Sequence, residues 1–259
     1  MVTVPAATAA LSTRATLAVE DIRVHFAGVK ALDGVDLALG TGEIVGLIGP
    51  NGAGKTTLMN VMTGFQRPKT GRIALGARDV TRAGPRRLAR LGVGRTFQSG
   101  RLFGQLSVLE NVELGALGVG ASPSEARRRG WSLLGRIGLT AHAALPAGAL
   151  PYGDQRRLGI VRALAMRPAF LLLDEPAAGL NEAETDDLLR VISGVRDDFG
   201  CGVLVIEHDM RLILTLCERI EVLDHGTPLA SGTPEEVRRD PKVIDAYLGR
   251  RAKVNRAAG

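Results

Sequence analysis

Apolar and polar residues alternate through Leu17-Ala-Val19, Ile22-Arg-Val24 and Val35-Asp-Leu37-Ala-Leu39, between turn signals at Ala27-Gly28 and Asp33-Gly34. Alternation places one set of side chains on one face of a pleated strand, so this stretch predicts a small antiparallel sheet at the start of the fold. The next segment, Glu43-Ile-Val-Gly-Leu-Ile48, is almost wholly apolar and reads as a buried strand, followed by a loop from Gly49 to Gly54 and a helix from Lys55 to Thr63. From about Arg101 to Met166 the apolar spacing changes to three and four residues. Val108 to Leu114, Glu125 to Ile137 and Asp154 to Met166 each predict a helix, together an inserted helical subdomain. Phe170 to Leu173 and Val203 to Ile206 are short apolar runs of the kind found in parallel strands covered on both faces, and Glu182 to Val195 predicts the crossover helix between them. The expected core is α/β.

No apolar run reaches the roughly 18 residues that cross a bilayer, so any membrane association is expected to be indirect. Met1 to Ala15, rich in Ala and Thr, lacks the basic start and sustained apolar middle of a cleaved signal and reads as a disordered lead. The 259 residues fit one nucleotide-binding domain with subdomains. Cys201 and Cys217 have no His or Cys partner at metal-ligand spacing and read as free thiols of a reducing compartment. The net charge of +6 comes from arginine clusters such as Arg86–Arg87–Arg90, Arg127–Arg128–Arg129 and Arg156–Arg157. Such a balance attracts nucleotides, nucleic acid or an anionic membrane face without choosing among them, and most of these clusters read as solvated helix faces.

Chemistry enters with Gly49-Pro50-Asn51-Gly52-Ala53-Gly54-Lys55-Thr56, which fits GxxxxGK[ST] and lies between a predicted strand and a predicted helix, as its mechanism requires. The glycines let backbone N–H groups close around phosphate oxygens, and the helix N-terminus adds the positive end of a dipole. Lys55 is placed to reach the β- and γ-phosphates of ATP, and the Thr56 hydroxyl to bind Mg²⁺. In Phe170-Leu-Leu-Leu-Asp174-Glu175-Pro176, a strand ends in adjacent carboxylates where ligands sit in such folds. Asp174 then serves the Mg²⁺ shell and Glu175 polarises the attacking water. His208, after the strand Val203 to Ile206, faces the γ-phosphate; Gln98 is placed to touch Mg²⁺ or the attacking water.

These motifs, in this order, resemble the ATPase subunits of ABC transporters over Leu17 to Gly249. The local wording is similar to the LivG type of branched-chain amino-acid importers: Gly49 to Thr57, Arg95-Thr-Phe-Gln98, Arg101-Leu-Phe103, Asp174-Glu-Pro-Ala-Ala-Gly-Leu-Asn181, Ile206-Glu-His-Asp-Met210, Gly226-Thr-Pro-Leu-Ala230, Gly232-Thr-Pro234 and Ala246-Tyr-Leu-Gly249. The resemblance implies a P-loop, RecA-like core with an N-terminal antiparallel β subdomain and an inserted α-helical subdomain. The expected division is a lead over 1–16, one ATPase domain over 17–249 (parts 17–98, 99–165 and 166–249) and a basic tail over 250–259. It implies ATP and Mg²⁺, with Phe26 stacking on adenine, Gly49, Pro50, Asn51, Gly52, Ala53, Gly54, Lys55, Thr56 and Thr57 binding nucleotide, and Asn181 in the loop that crosses to a partner.

The implied partners are a sister ABC ATPase, as a heterodimer or a homodimer when isolated, two transmembrane permease subunits and, indirectly, a solute-binding protein, with no nucleic acid. The surface from Ser99 to Asn111 would carry motion to the permeases at the cytoplasmic face of the cell membrane. Branched-chain amino acids are the family's usual cargo, with urea and short amides as alternatives. A soluble ATPase acting on nucleic acid fits less well, since the chain has one P-loop and no heptad run, and no NKxD motif supports a GTPase. A non-catalytic nucleotide-binding subunit is opposed by the intact Lys55, Asp174, Glu175 and His208.

The family signature, Leu-Ser-Gly-Gly-Gln or Leu-Ser-Tyr-Gly-Gln, stands here as Leu150-Pro151-Tyr152-Gly153-Asp154. Proline supplies neither the serine hydroxyl nor an N–H, although it is comfortable in a first helical turn. Asp154 brings a carboxylate near a triphosphate, which is unfavourable unless Arg156, Arg157 or distance offsets it. Because each ATP lies between one subunit's P-loop and the other's signature, the resemblance implies an unequal pair of sites.

Overall fold

The computed structural model describes residues 15–96 and 102–246. The expectations for residues 1–14, Gln98, Arg101 and the tail 250–259 fall outside the described residues.

Strands β1 (Thr16–Phe26) and β2 (Val29–Gly40) form a hairpin closed at Ala27 and Gly28, which both take positive φ as two-residue hairpins require. Buried Leu17, Val19, Ile22 and Val24 lose their two-residue phase between Val19 and Ile22. The ladder shifts register there, from Val19 opposite Leu37 to Ile22 opposite Val35, so all four face inward. Asp33-Gly34, expected as a turn, instead lies inside β2 beside this irregularity, with Gly34 at φ 78. Arg23 and Lys30 pair with Asp33 across the bend. β4 (Thr70–Leu75) and β5 (Arg78–Asp79) complete a sheet of order β2-β1-β4-β5.

The second sheet begins with β3 (Ile44–Ile48), every residue of which is buried, and continues through the loop into α1 (Lys55–Met62). α2 (Pro85–Arg90) leads to β6 (Val93–Arg95). Three helices then precede the return to the sheet: α3 (Val108–Gly118), α4 (Pro123–Arg136) and α5 (Tyr152–Leu164). α3 starts at a capping box in which Ser107 and Glu110 satisfy each other's amides, and Ser122 caps α4. β7 (Phe170–Asp174), α6 (Glu182–Phe199), β8 (Gly202–Ile206), α7 (Met210–Leu216), β9 (Arg219–Asp224), β10 (Thr227–Gly232) and α8 (Pro234–Arg239) follow. The strand order is β10-β9-β3-β8-β7-β6, parallel from β9 to β6, with β10 antiparallel at the edge.

The two-residue period of the parallel strands divides the core. Ile44, Ile48, Leu171, Leu173, Val203 and Val205 pack on the helical side, with α3, α5 and α6. Val45, Leu47, Phe170, Leu172, Leu204 and Ile206 pack on the other, with α1 and the antiparallel sheet. Each such side chain contributes about 1.5–3 kcal/mol by leaving water, which explains why central strands read as unbroken apolar runs.

Several arginine clusters expected as solvated faces are tied to carboxylates: Arg127 to Glu113, Arg129 to Glu125 and Arg239 to Glu235. On α2, Arg86, Arg87 and Arg90 are exposed, and none has a carboxylate partner among the described residues.

Cys201 and Cys217 are buried free thiols, both pushed up to about 12 by burial. A thiol raised in the folded state favours folding fully below its ordinary value and loses that contribution as pH rises towards the raised one. Stability should therefore fall between about pH 9 and 12. At about pH 8 a thiol-reactive disulfide reagent should modify neither cysteine in the native protein and both in guanidinium; rapid native labelling would contradict the burial.

Candidate active site

Parallel strands end on one edge, and three of the expected functional segments lie there: the loop after β3, Asp174 and Glu175 at the end of β7, and His208 beyond β8. In the loop, Gly49 has φ 150 and a Cβ there would run into the Leu223 carbonyl; Gly54 has φ 101 and sits against the Ala31 carbonyl. Only glycine tolerates both the angles and the contacts. The turn between β9 and β10 pins this loop from outside: the Gly226 N–H donates to the Ala53 carbonyl (3.0 Å) and the Asp33 N–H to the Gly226 carbonyl (2.8 Å).

Lys55, the first residue of α1, is buried, and its ammonium donates to the carbonyls of Gly49 (2.6 Å) and Pro50 (3.0 Å). Burial pulls its pKa below the usual ammonium value, opposed by the charges of Glu175 and Asp174. Adjacent parallel strands bring the loop and the end of β7 to one edge, where these charges act on each other. Asn51 and Thr56 are exposed and Thr57 half-buried on the same stretch. Phe26 stands at the tip of the β1–β2 hairpin with 46% of its surface free, open to a planar partner.

Asp174 is buried, with its Oδ2 3.2 Å from Nη2 of Arg95. Burial raises its pKa, Arg95 and Lys55 lower it, and neighbouring Glu175 raises it. Arg95 is itself a hub. Its Nη1 donates to Asn60 (2.6 Å) and Thr63 (3.3 Å) at the end of α1, and its guanidinium lies 5.4 Å from the centre of the Phe65 ring. Thus one cation joins α1, β6 and the carboxylate of β7. The sequence showed Arg95 only as part of a motif, since Asn60, Thr63, Phe65 and Asp174 all lie far from it in the chain.

Glu175 has φ 46, a left-handed conformation a glutamate holds only where its surroundings impose it. Its N–H donates to the Ile206 carbonyl (2.9 Å), and its Oε1 lies 2.9 Å from Nε2 of His208. Between β8 and His208 stands Glu207, which sequence reasoning passed over although it is an acidic residue at the end of an apolar strand. Asn181 caps α6 through the Glu184 N–H, in a capping box.

The signature segment is built differently. Leu150 is buried, and Pro151 is the N-cap of α5 without a side-chain cap bond. Tyr152 donates its hydroxyl to the Ala178 carbonyl (3.1 Å), a contact shared by Arg156 (3.3 Å), whose guanidinium lies over the Tyr152 ring. A Cβ on Gly153 would meet Glu184 at 2.8 Å. Asp154 is ion-paired with Arg157 one turn along the helix. The signature therefore contacts the segment from Ala178 to Glu184.

For a divalent cation, the described residues contain no group of three or more His, Cys, Asp or Glu that would hold a metal by itself. The Asp174 carboxylate and Thr56 hydroxyl are hard oxygen donors, a set that suits Mg²⁺ shared with substrate phosphates.

The fold and this edge define a P-loop ATPase, and the comparisons identify its class. Residues 32–178 match the ABC transporter family, and residues 227–253 match a family described as branched-chain amino acid ATP-binding cassette transporter. The chain belongs to the ABC transporter family, as one of its ATP-binding cassettes. It is 46% identical over 248 residues to the high-affinity branched-chain amino acid transport ATP-binding protein LivG of Salmonella typhimurium, covering 90% of this chain and 97% of that one. It is 42% identical over 251 residues to the corresponding protein BraF of Pseudomonas aeruginosa, covering 91% and 98%. Among solved structures it is similar to the ADP conformation of an ABC transporter cassette, with TM-score 0.84 and 31% identity over 92% of this chain and all of that one. A dimeric cassette bound to ADP and Pi aligns with TM-score 0.74 and 26% identity over 84% of this chain and 98% of that one.

Arg95→Ala leaves the Asp174 carboxylate buried without its guanidinium and should cost about 3–5 kcal/mol of stability. Adding Asp174→Asn should restore much of that loss in urea denaturation. Simple additivity of the two changes would show that they are not coupled.

Proposed function

We propose that the chain is the ATP-hydrolysing subunit of an importer that takes up branched-chain or related amino acids across the cell membrane. The observation that carries the hydrolytic reading is the 2.9 Å contact between Glu175 and His208 on the sheet edge that holds Lys55. Support for the cargo comes from the LivG and BraF relatives and from the match over residues 227–253.

In this reading the backbone N–H groups of Gly49 to Thr57 and the Lys55 ammonium bind the phosphates, and Phe26 stacks on adenine. Glu175 takes a proton from water as the water oxygen bonds to the γ-phosphorus and the bond to ADP breaks. His208 holds the Glu175 carboxylate in place and donates to the γ-phosphate, while Gln98 orients the water. Thr56, Asp174 and Gln98 would hold Mg²⁺, which when bound neutralises charge on the β- and γ-phosphate oxygens.

A sister ABC ATPase closes over this nucleotide, and motion passes through the segment from Ser99 to Asn111, in which Phe103, Gln105 and Glu110 are exposed while Val108, Leu109 and Asn111 are buried, to two transmembrane permease subunits fed by a solute-binding protein. The chain works from the cytoplasmic face. Among its described residues no helix is long and apolar enough to cross a membrane. The two nucleotide sites are unequal, because the signature offered to the sister's ATP lacks a hydroxyl and an N–H at Pro151. The charge of Asp154 is offset within the helix by Arg157, so the missing donors dominate the defect.

In proteoliposomes holding the assembled transporter, Glu175→Gln should bind ATP but lower turnover and labelled-leucine uptake by about a hundredfold or more. Wild-type turnover in this variant would refute the base assignment; uptake of urea or a short amide in place of leucine would refute the cargo. Pro151→Ser should raise the ATPase rate of the assembled transporter, and Asp154→Gln should add little to it. An unchanged rate in the double variant would remove the case for unequal sites.

A further inference from the structure

Glu207 is a carboxylate that this mechanism leaves unused, and only 4% of its surface is exposed. Burying an acidic group is costly unless donors surround it, and here they do. Its Oε1 accepts from the Ala177 N–H (2.7 Å) and its Oε2 from the His208 N–H (3.0 Å). These donors lie on two different loops. Ala177 belongs to the segment that leaves β7, two residues beyond Glu175, while His208 belongs to the segment that leaves β8. A single side chain therefore fastens the two loops whose side chains meet in the Glu175–His208 contact. That contact and the hydrogen bond from the Glu175 N–H to the Ile206 carbonyl at the strand end link them as well.

The surroundings explain why a carboxylate stands there. Two N–H groups donate to opposite oxygens of one carboxylate, and a glutamine would offer its single oxygen to one of them and an NH₂ donor to the other. Glu175 needs external support for its left-handed backbone, and the Ala177 bond fixes the chain just after it.

We propose that Glu207 is a positioning residue for hydrolysis: by holding the Ala177 and His208 amides together, it sets His208 against Glu175. The role rests on the reading of Glu175 and His208 as the hydrolytic pair. Small misplacements of reacting groups lower rates by about ten- to a hundredfold while leaving nucleotide binding to the P-loop intact.

The test uses the assembled transporter, with ATPase kcat and KM, equilibrium binding of a fluorescent ATP analogue, and thermal unfolding measured together. Glu207→Gln should lower kcat by about tenfold or more with KM and analogue affinity within about twofold. In a His208→Ala background, single-turnover rates should show no further loss on adding Glu207→Gln, because the side chain acts through His208. If Glu207→Gln fails to fold, Glu207→Asp, which keeps the charge but shortens the reach, is held to the same criteria. A wild-type kcat, or a loss of the same size with and without His208, overturns the positioning role. If His208→Ala and Glu175→Gln themselves keep the wild-type rate, the underlying reading of the site falls instead.

Discussion

The parallel register of β7 and β8, which sets Asp174 opposite Ile206, is the constraint on which the rest of the site depends. It brings the residues after each strand to the same height, so Glu175 meets His208 and Ala177 meets Glu207 without any long loop. On the other side of β8, Leu47 stands opposite Ile206, and the phosphate-binding loop starts two residues later. Three loops thus reach one edge because three neighbouring strands run the same way and stop together. The apolar content of these strands, buried on both faces, is what fixes the register: a slip of one residue would exchange the two halves of the core.

Charge is arranged around that edge in opposed pairs. Lys55 and Arg95 are cations withdrawn from water, and each has Asp174 nearby. The electrostatic cost of burying three such groups is offset by the attraction of each cation for Asp174 and by backbone dipoles, which leaves the edge polar and preset before substrate arrives. Arg95 has a further effect on architecture. By bonding Asn60 and Thr63 it ties the far end of α1 to the sheet, so the helix whose first turn carries Lys55 is anchored at its last.

Much of this was legible in the sequence where physics is local. Glycines of the phosphate loop, the unbroken apolar runs of β3, β7 and β8, and the helical spacing of α3 to α6 are patterns within a few residues, and the α/β fold follows from them. The elements that escaped were short or exposed: β4 and β5 show mostly solvent-facing residues, β6 has three residues, and β9 and β10 form an edge hairpin with weak alternation. Asp33-Gly34 carried a turn signal, yet the chain needed a bulge there to keep Ile22 and Val35 in the core; tertiary burial overrode local chemistry. Arg95 and Glu207 were not legible as hubs, because their meaning lies in partners tens of residues away, such as Asp174 for Arg95 and Ala177 for Glu207. The altered signature was visible at once, with Arg156 and Arg157 as its candidate offsets, and the helix shows that Arg157 is the one paired with Asp154.

The arginines of α2 give the net charge a direction. Many of the chain's other basic side chains spend their charge inside ion pairs, whereas Arg86, Arg87 and Arg90 project theirs outward from one short helix. A molecule built this way behaves as a compass needle near an anionic surface. Within a Debye length of about 8 Å at physiological ionic strength it experiences a torque as well as an attraction, so it approaches with a preferred face before any specific contact forms.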